Sequence, residues 1–451
     1  MNRRRFLRTT AEASTAMLIG CARTRQQPSA PSAAAEPEPP APDPVEPPEQ
    51  HAEAEPPPEP APAGTGEPGG DFPEWNLGDD SASALTMLMF RGNPSHTFYG
   101  SGSLPAQPRL LWRARLGKFE AIKAGKRQIW EGTGWTGQPV RWGKRVYVGA
   151  VDRTFYCFHA DTGEVLWKYQ AERMFKGSCC FYRGRLYTGC VDNLIRCLDG
   201  RTGELLWSYD TRRDCDSSPC VAGNRLYIGG EDGYLKCFDP QNGSLHWKLD
   251  LGEGKGAPPG SGGIESSPAV ADGEVYVGHY DGYLLCADAA TGRERWRART
   301  GGDTDVSPVV AGDRVYIAAE TESPYLFCFD RSRKGKKVWE LDNKRGWWST
   351  PAVVGDRLYI GGNDALMYCL DARSGKVIWT FKAEDAIWSS PSVVDGKVAF
   401  GSYDPYFYLL DAERGKLLWK YDMGERTHST PCIVDGKIYV GSANGWFHCF
   451  G

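Results

Sequence analysis

Asp199-Gly200-Arg201-Thr202-Gly203-Glu204-Leu205-Leu206-Trp207 reads as a strand end, a tight turn and a second strand carrying an indole. Glycine in the turn supplies the positive φ that a sharp reversal needs. The pattern recurs along the chain. Trp167, Trp207, Trp247, Trp296, Trp339, Trp379 and Trp419 follow one another at intervals of 40, 40, 49, 43, 40 and 40 residues, with a Gly four residues before each. A period near 40 marks a repeat architecture rather than several unlike domains.

A second series runs through Pro139, Cys179 in place of proline, Pro219, Pro268, Pro308, Pro351, Pro391 and Pro431. Each of these eight starts leads into the same sequence of signals. In one unit these are Ala269-Val270, the turn Asp272-Gly273, the strand Val275-Tyr276-Val277-Gly278, the turn Asp281-Gly282 and a third strand ending near Asp288. A Thr-Gly turn and the Trp strand complete the unit. Four strands per repeat make one propeller blade, so the expected fold is all-β, an eight-bladed propeller of four-stranded antiparallel blades over 105–451. The eighth unit stops at Gly451, before any fourth strand. Leu110-Leu111-Trp112-Arg113 supplies the missing strand from the other end, so the last blade is expected to close through an N-terminal strand around Trp112. The eight indoles, Trp112 included, are expected to dock blade on blade.

These units resemble the PQQ-like β-propeller repeat, whose signature is a strand, Asp, a Thr-Gly turn and a docking Trp. Arg91-Gly92-Asn93-Pro94 resembles the lead-in common in that family. The resemblance implies one of two branches. BamB-type outer-membrane assembly lipoproteins are non-catalytic scaffolds for protein contacts. Quinoprotein alcohol dehydrogenases bind pyrroloquinoline quinone (PQQ) and calcium on the propeller axis.

The N-terminus reads as an address. Arg3-Arg4-Arg5-Phe6-Leu7-Arg8 precedes a mildly apolar stretch that is too short to span a bilayer. It resembles a twin-arginine export signal. Leu18-Ile19-Gly20-Cys21 resembles a lipobox, which implies acylation of Cys21 and anchoring in the cell envelope. Ala22 after the Cys points to the outer membrane, at its periplasmic face or the cell surface. Segment 1–21 is thus the signal. Segment 22–71, rich in Pro, Glu and Ala, is a disordered tether able to reach on the order of 100 Å. Segment 72–104 is the lead-in. Residues 26–71 hold ten Asp or Glu and no Lys or Arg, so the net charge of −4 does not describe the folded body. That body is near neutral and carries no electrostatic footprint for nucleic acid.

Fourteen Cys in an exported chain suggest disulfides. Yet Cys157, Cys197, Cys237, Cys286, Cys328, Cys369 and Cys449 share one position of the repeat, which Leu409 fills in the remaining unit. A residue interchangeable with Leu behaves as a small buried hydrophobe. Cys179-Cys180 has two readings: a pair of core thiols, or the vicinal disulfide that the quinoprotein resemblance implies. No zinc-like Cys/His spacing and no haem attachment motif is present.

The loop entering each innermost strand should surround the axis. Three residues before each start stand Thr136, Lys176, Asp216, Glu265, Asp305, Trp348, Trp388 and His428. One residue before it the set is Gln138, Ser178, Ser218, Ser267, Ser307, Thr350, Ser390 and Thr430. The first ring varies where the framework repeats. It gives a candidate axial site with an acidic side (Asp216, Glu265, Asp305, beside Lys176) and an aromatic side (Trp348, Trp388, His428). Carboxylates suit a cation or amine, and aromatic faces suit sugars, quinones or cationic groups. Two insertions, 118–134 and 252–263, are candidate contact loops. No catalytic residue and no metal ligand can be assigned. The expected function is a non-catalytic envelope lipoprotein that binds an envelope protein, peptide or glycan, without a cofactor. The alternative is a PQQ- and calcium-dependent dehydrogenase.

Overall fold

The computed structural model describes residues 86–123, 126–133, 137–251, 263–320 and 325–451. The export signal, Cys21, the tether, Thr136 and most of the 252–263 insertion lie outside the described residues. Eight sheets of four antiparallel strands each form the blades of a propeller. In blade 2 the strands are Cys180–Tyr182, Arg185–Gly189, Leu194–Asp199 and Leu205–Asp210, paired in that order. The inner hairpin turns on left-handed residues, Arg183 at φ 48° and Gly184 at φ 79°, as its Arg-Gly pair requires. The third and fourth strands shift register after Cys197, one residue short of the turn, and this irregularity repeats in the other blades.

The ring closes through its two ends. Leu110–Arg115 pairs with Trp446–Phe450, placing Trp112 opposite Cys449 and Ala114 opposite Phe447. The eighth blade is therefore built from both ends of the described chain.

Each indole lies on the Gly-turn of the following blade. The indole N–H of Trp112 donates to the carbonyl of Ala160, that of Trp247 to Ala289 and that of Trp339 to Ala372. A Cβ built on Gly163 would lie 2.5 Å from Trp112, and one on Gly335 2.4 Å from Trp296. This contact explains the glycine four residues before each of the seven Trp from Trp167 to Trp419 that the repeat places 40 to 49 residues apart. The glycine serves the indole of the preceding blade as well as its own turn. Trp419 is the exception, because the next blade has no such turn. Its ring packs on Phe407, Tyr421 and Phe450 instead.

The repeated cysteines sit beneath this layer. Thirteen Cys among the described residues are free thiols, and all are buried. Burial pushes Cys157, Cys197 and Cys286 up to about 12. Such thiols stay protonated and unreactive. Cys179 and Cys180 are among them, packed in adjoining parts of the core.

A short strand, Thr86–Met87, adds to the inner strand of blade 1. From there 88–104 crosses the lower face, where the inner hairpins turn. It accepts N–H groups of blades 2, 4 and 5 at the carbonyls of Leu88, Pro94 and Ser95. Farther on, the Tyr99 hydroxyl accepts the Val353 N–H, and Ser101 donates its N–H to Ile433. The lead-in is a strap that touches blade after blade.

Candidate functional site at the upper mouth

Inner strands begin and second strands end on the face opposite the strap. One backbone bond fixes the mouth there. In blades 2 to 8 the N–H of the residue twelve after the blade's start donates to the carbonyl five before it; in blade 1 Val151 donates to Gly132 instead. The pairs include Glu231 to Asp214 (2.9 Å), Glu320 to Asp303 (2.8 Å) and Tyr403 to Ala386 (2.8 Å). This clip brings two side-chain positions per blade to the mouth: three before the start and twelve after it.

Just below, the ring of small polar residues forms a belt. The N–H of Ser178 donates to the hydroxyl of Ser218, Ser218 to Ser267, Ser267 to Ser307 and Thr350 to Ser390, at 2.9–3.0 Å. A hydroxyl is needed because the inner-strand N–H of one blade has no ladder partner except the next blade's side chain. Gln138 stands where the others have Ser or Thr, because its longer side chain holds the strap. It accepts the Arg91 N–H (2.7 Å) and donates to the Pro431 carbonyl (3.1 Å). Arg91 itself is fully buried. Its guanidinium donates to the carbonyls of Pro391 (2.6 Å), Pro351 and Thr350 (3.2 Å) and lies 4.6 Å from the Tyr99 ring centre. Sequence reasoning placed an axial channel here; its lower end holds the strap and Arg91.

The structure brings the seven candidate residues onto this face in two arcs. On the acidic side, ligand oxygens of Asp216, Glu231 and Glu265 lie within 4.8 Å of one another, and Lys176 pairs with Asp216. A second group, Asp303, Asp305 and Glu320, follows on blade 5 with the same spacing limit. Crowding has an electrostatic consequence. Burial, then the charges of Asp216 and Glu265, raise the Glu231 carboxyl to about 8, against partial relief from Lys176. Asp214 is raised as well, chiefly by burial.

On the other side the Trp348 and Trp388 ring centres are 3.7 Å apart, and Tyr403 lies 4.1 Å from Trp388. His428 stacks on Tyr403 at 4.6 Å, nearly parallel, and Arg426 covers the same ring at 5.4 Å. Burial, reinforced by Arg426, lowers His428 to about 3, so it is neutral at ordinary pH. The 118–134 insertion is a hairpin, Lys118–Lys123 with Lys126–Glu131. Its Ile129 and Trp130 share a small pocket of about 70 Å³ with Arg426 and His428.

Glu231, Asp303, Glu320 and Tyr403 were missed from sequence. A signal was there: the position twelve after each start reads Val151, Val191, Glu231, Tyr280, Glu320, Asn363, Tyr403 and Ala443. It varies as the upstream ring does, while its neighbours repeat.

Glu231 makes a pH prediction. A carboxyl raised from 4.5 to about 8 on folding favours the folded state when protonated. Stability falls as pH rises from about 4.5 to about 8 and is level above that. Glu231→Gln is expected to gain on the order of 1–3 kcal/mol over the wild type at pH 9 and nothing at pH 4. Denaturant unfolding at the two pH values checks this; equal gains at both would contradict it.

A family model described as "Outer membrane protein assembly factor BamB" matches residues 105–334 and 328–448. No curated protein matches the chain. Among solved structures, BamB from Moraxella catarrhalis aligns with a TM-score of 0.51 at 17% identity, covering 76% of this chain and 97% of that one. A europium-containing methanol dehydrogenase aligns with a TM-score of 0.66 at 15% identity, over 81% of this chain and 92% of that one. Quinohemoprotein alcohol dehydrogenase from Comamonas testosteroni gives 0.66 at 15%, over 82% and 81%. These likenesses establish a shared fold, and the family match covers most of the propeller. The chain therefore belongs to the PQQ-like β-propeller family whose model is described by the assembly factor BamB.

Proposed function

We propose that this chain is a non-catalytic, lipid-anchored envelope protein whose propeller is a binding scaffold. Cys21 carries the lipid, residues 22–71 form the tether, and the anchor is the outer membrane, at its periplasmic face or the cell surface. Its partner is an envelope protein, peptide or glycan, and no nucleic acid is involved. The family description supports this reading. The observation that carries it is the shape and lining of the mouth. It has the strap and Arg91 at the lower end of the axis, and it presents a broad aromatic arc beside an acidic one.

The quinone alternative meets these residues poorly. PQQ is a planar tricarboxylate and needs a stacking slot and cationic contacts. Trp348 and Trp388 pack on each other, leaving no slot between them. The neighbouring arc carries six carboxylates, and Lys176 pairs with Asp216 among them. Cys179 and Cys180 lie in the core rather than at the mouth. The residues do not fit the cofactor, and no step through it is derived.

Affinity capture from solubilised envelope tests the proposal. The wild type should retain a reproducible partner that Trp348→Ala/Trp388→Ala loses. Stoichiometric PQQ binding with calcium, together with dye-linked alcohol oxidation, would overturn it.

A further inference from the structure

The upper face carries a path of aromatic rings, with Arg426 lying over one of them, Tyr403. It starts at Trp348 on blade 6, passes Trp388 and Tyr403 on blade 7 and reaches His428 on blade 8. From there it continues to Ile129 and Trp130 on the hairpin. Ile129 is half exposed, and the three large rings at the start of the path, mostly covered, keep part of their surface exposed. The hairpin forms a two-stranded sheet of its own, tied to blade 1 just after its second strand by the Thr133–Ala150 bridge and to blade 8 by the Arg115–Glu131 ion pair. Hairpin edges of this kind offer backbone donors and acceptors to an added strand.

At the Trp348 end the path meets the acidic arc. Asp305 holds on blade 5 the position that Trp348 holds on blade 6. Six carboxylates from blades 3, 4 and 5 gather there. Burial raises the Glu231 carboxyl first, and the nearby charges of Asp216 and Glu265 raise it further. An occupant that brings positive charge relieves that repulsion. An anionic occupant adds to it.

We propose that the upper face docks an extended polypeptide segment that carries apolar side chains along the aromatic arc and Lys or Arg side chains over the acidic arc. This deepens, and rests on, the scaffold reading: it names the chemistry of the partner. Aromatic rings accept aliphatic contacts and cations alike, so the junction of the arcs suits a basic residue next to an apolar one. Backbone pairing with the hairpin edge supplies affinity independent of sequence, while the two arcs set which side chains are accepted.

The test uses the full chain with its tether and two synthetic ten-residue peptides, one alternating Leu and Lys, the other alternating Leu and Glu. Titration calorimetry should show saturable binding of the Lys peptide and none of the Glu peptide. Affinity for the Lys peptide should fall with added salt. Glu265→Gln/Asp305→Asn should weaken binding about tenfold, and so should Trp388→Ala. The charge variants keep the fold testable if Trp388→Ala does not express. Equal binding of both peptides, or wild-type affinity in the charge variant, would overturn the proposal. So would calcium binding that Glu231→Gln abolishes and the Lys peptide does not displace, since the acids would then serve a metal. If the peptides fail while Trp348→Ala/Trp388→Ala still loses an envelope partner, the scaffold reading stands and this inference falls.

Discussion

Trp339→Ala is expected to cost about 3–5 kcal/mol of stability. Trp339 is 9% exposed, donates to the Ala372 carbonyl at 3.0 Å and packs near the Tyr316 ring. Removing it empties the space between blades 5 and 6. Gly375 turns that loss into a test of the contact itself. Its φ is +72°, and a Cβ there would lie 2.7 Å from the Trp339 ring. Gly375→Ala should destabilise the wild type by roughly 1–3 kcal/mol, partly through the left-handed backbone and partly through the indole. In the Trp339→Ala background only the backbone part remains, so the second substitution should cost less. Denaturant unfolding of the four proteins measures the coupling. Strict additivity would mean that the indole and the glycine of the next blade do not meet.

Arg91→Met is expected to lower stability by roughly 2–4 kcal/mol, because it leaves carbonyls of blades 6 and 7 buried without a donor. Burial already pushes the guanidinium down to about 10, and three carbonyl partners with the Tyr99 ring keep it in place. The methionine preserves the apolar stem, so the loss reports the head group. The strap should loosen with it. Amide exchange should quicken across 86–104, and also at Val270 and Val310, which donate to the strap carbonyls of Pro94 and Ser95. Arg91→Lys keeps the charge without the fork and should fall between the two. Exchange at the strap unchanged in Arg91→Met would contradict its role.

The repeat made the fold readable because its signals are local and counted. A Trp, a Gly four residues earlier and a small polar residue before each inner strand recur, since each meets the same neighbour in every blade. Closure through Trp112 was readable for the same reason: one fourth strand was missing and one spare strand was present. Variation against this constant background revealed the ring of Asp216, Glu265, Asp305, Trp348, Trp388 and His428. Its partner ring escaped because Glu231, Glu320 and Tyr403 follow the second strand and read as turn residues. The clip that lifts them to the mouth is a backbone bond with no side-chain signature. Arg91 escaped for another reason. Its carbonyl partners lie 259 to 300 residues away and are main-chain groups, so no residue type betrays them. Burial and the carboxylates of Asp216 and Glu265 raise Glu231 only once blades 3 and 4 are assembled, which no single repeat can display.

Site-specific photo-cross-linking in intact cells tests most directly whether the mouth is where this protein works. A photoreactive side chain at position 388 samples the aromatic arc, and one at position 206, where an exposed Leu stands on the outer strand of blade 2, samples the rim. A discrete protein adduct from 388 that is absent from 206 is the predicted result. Adducts from 206 with none from 388 would place the working surface on the perimeter and contradict the account.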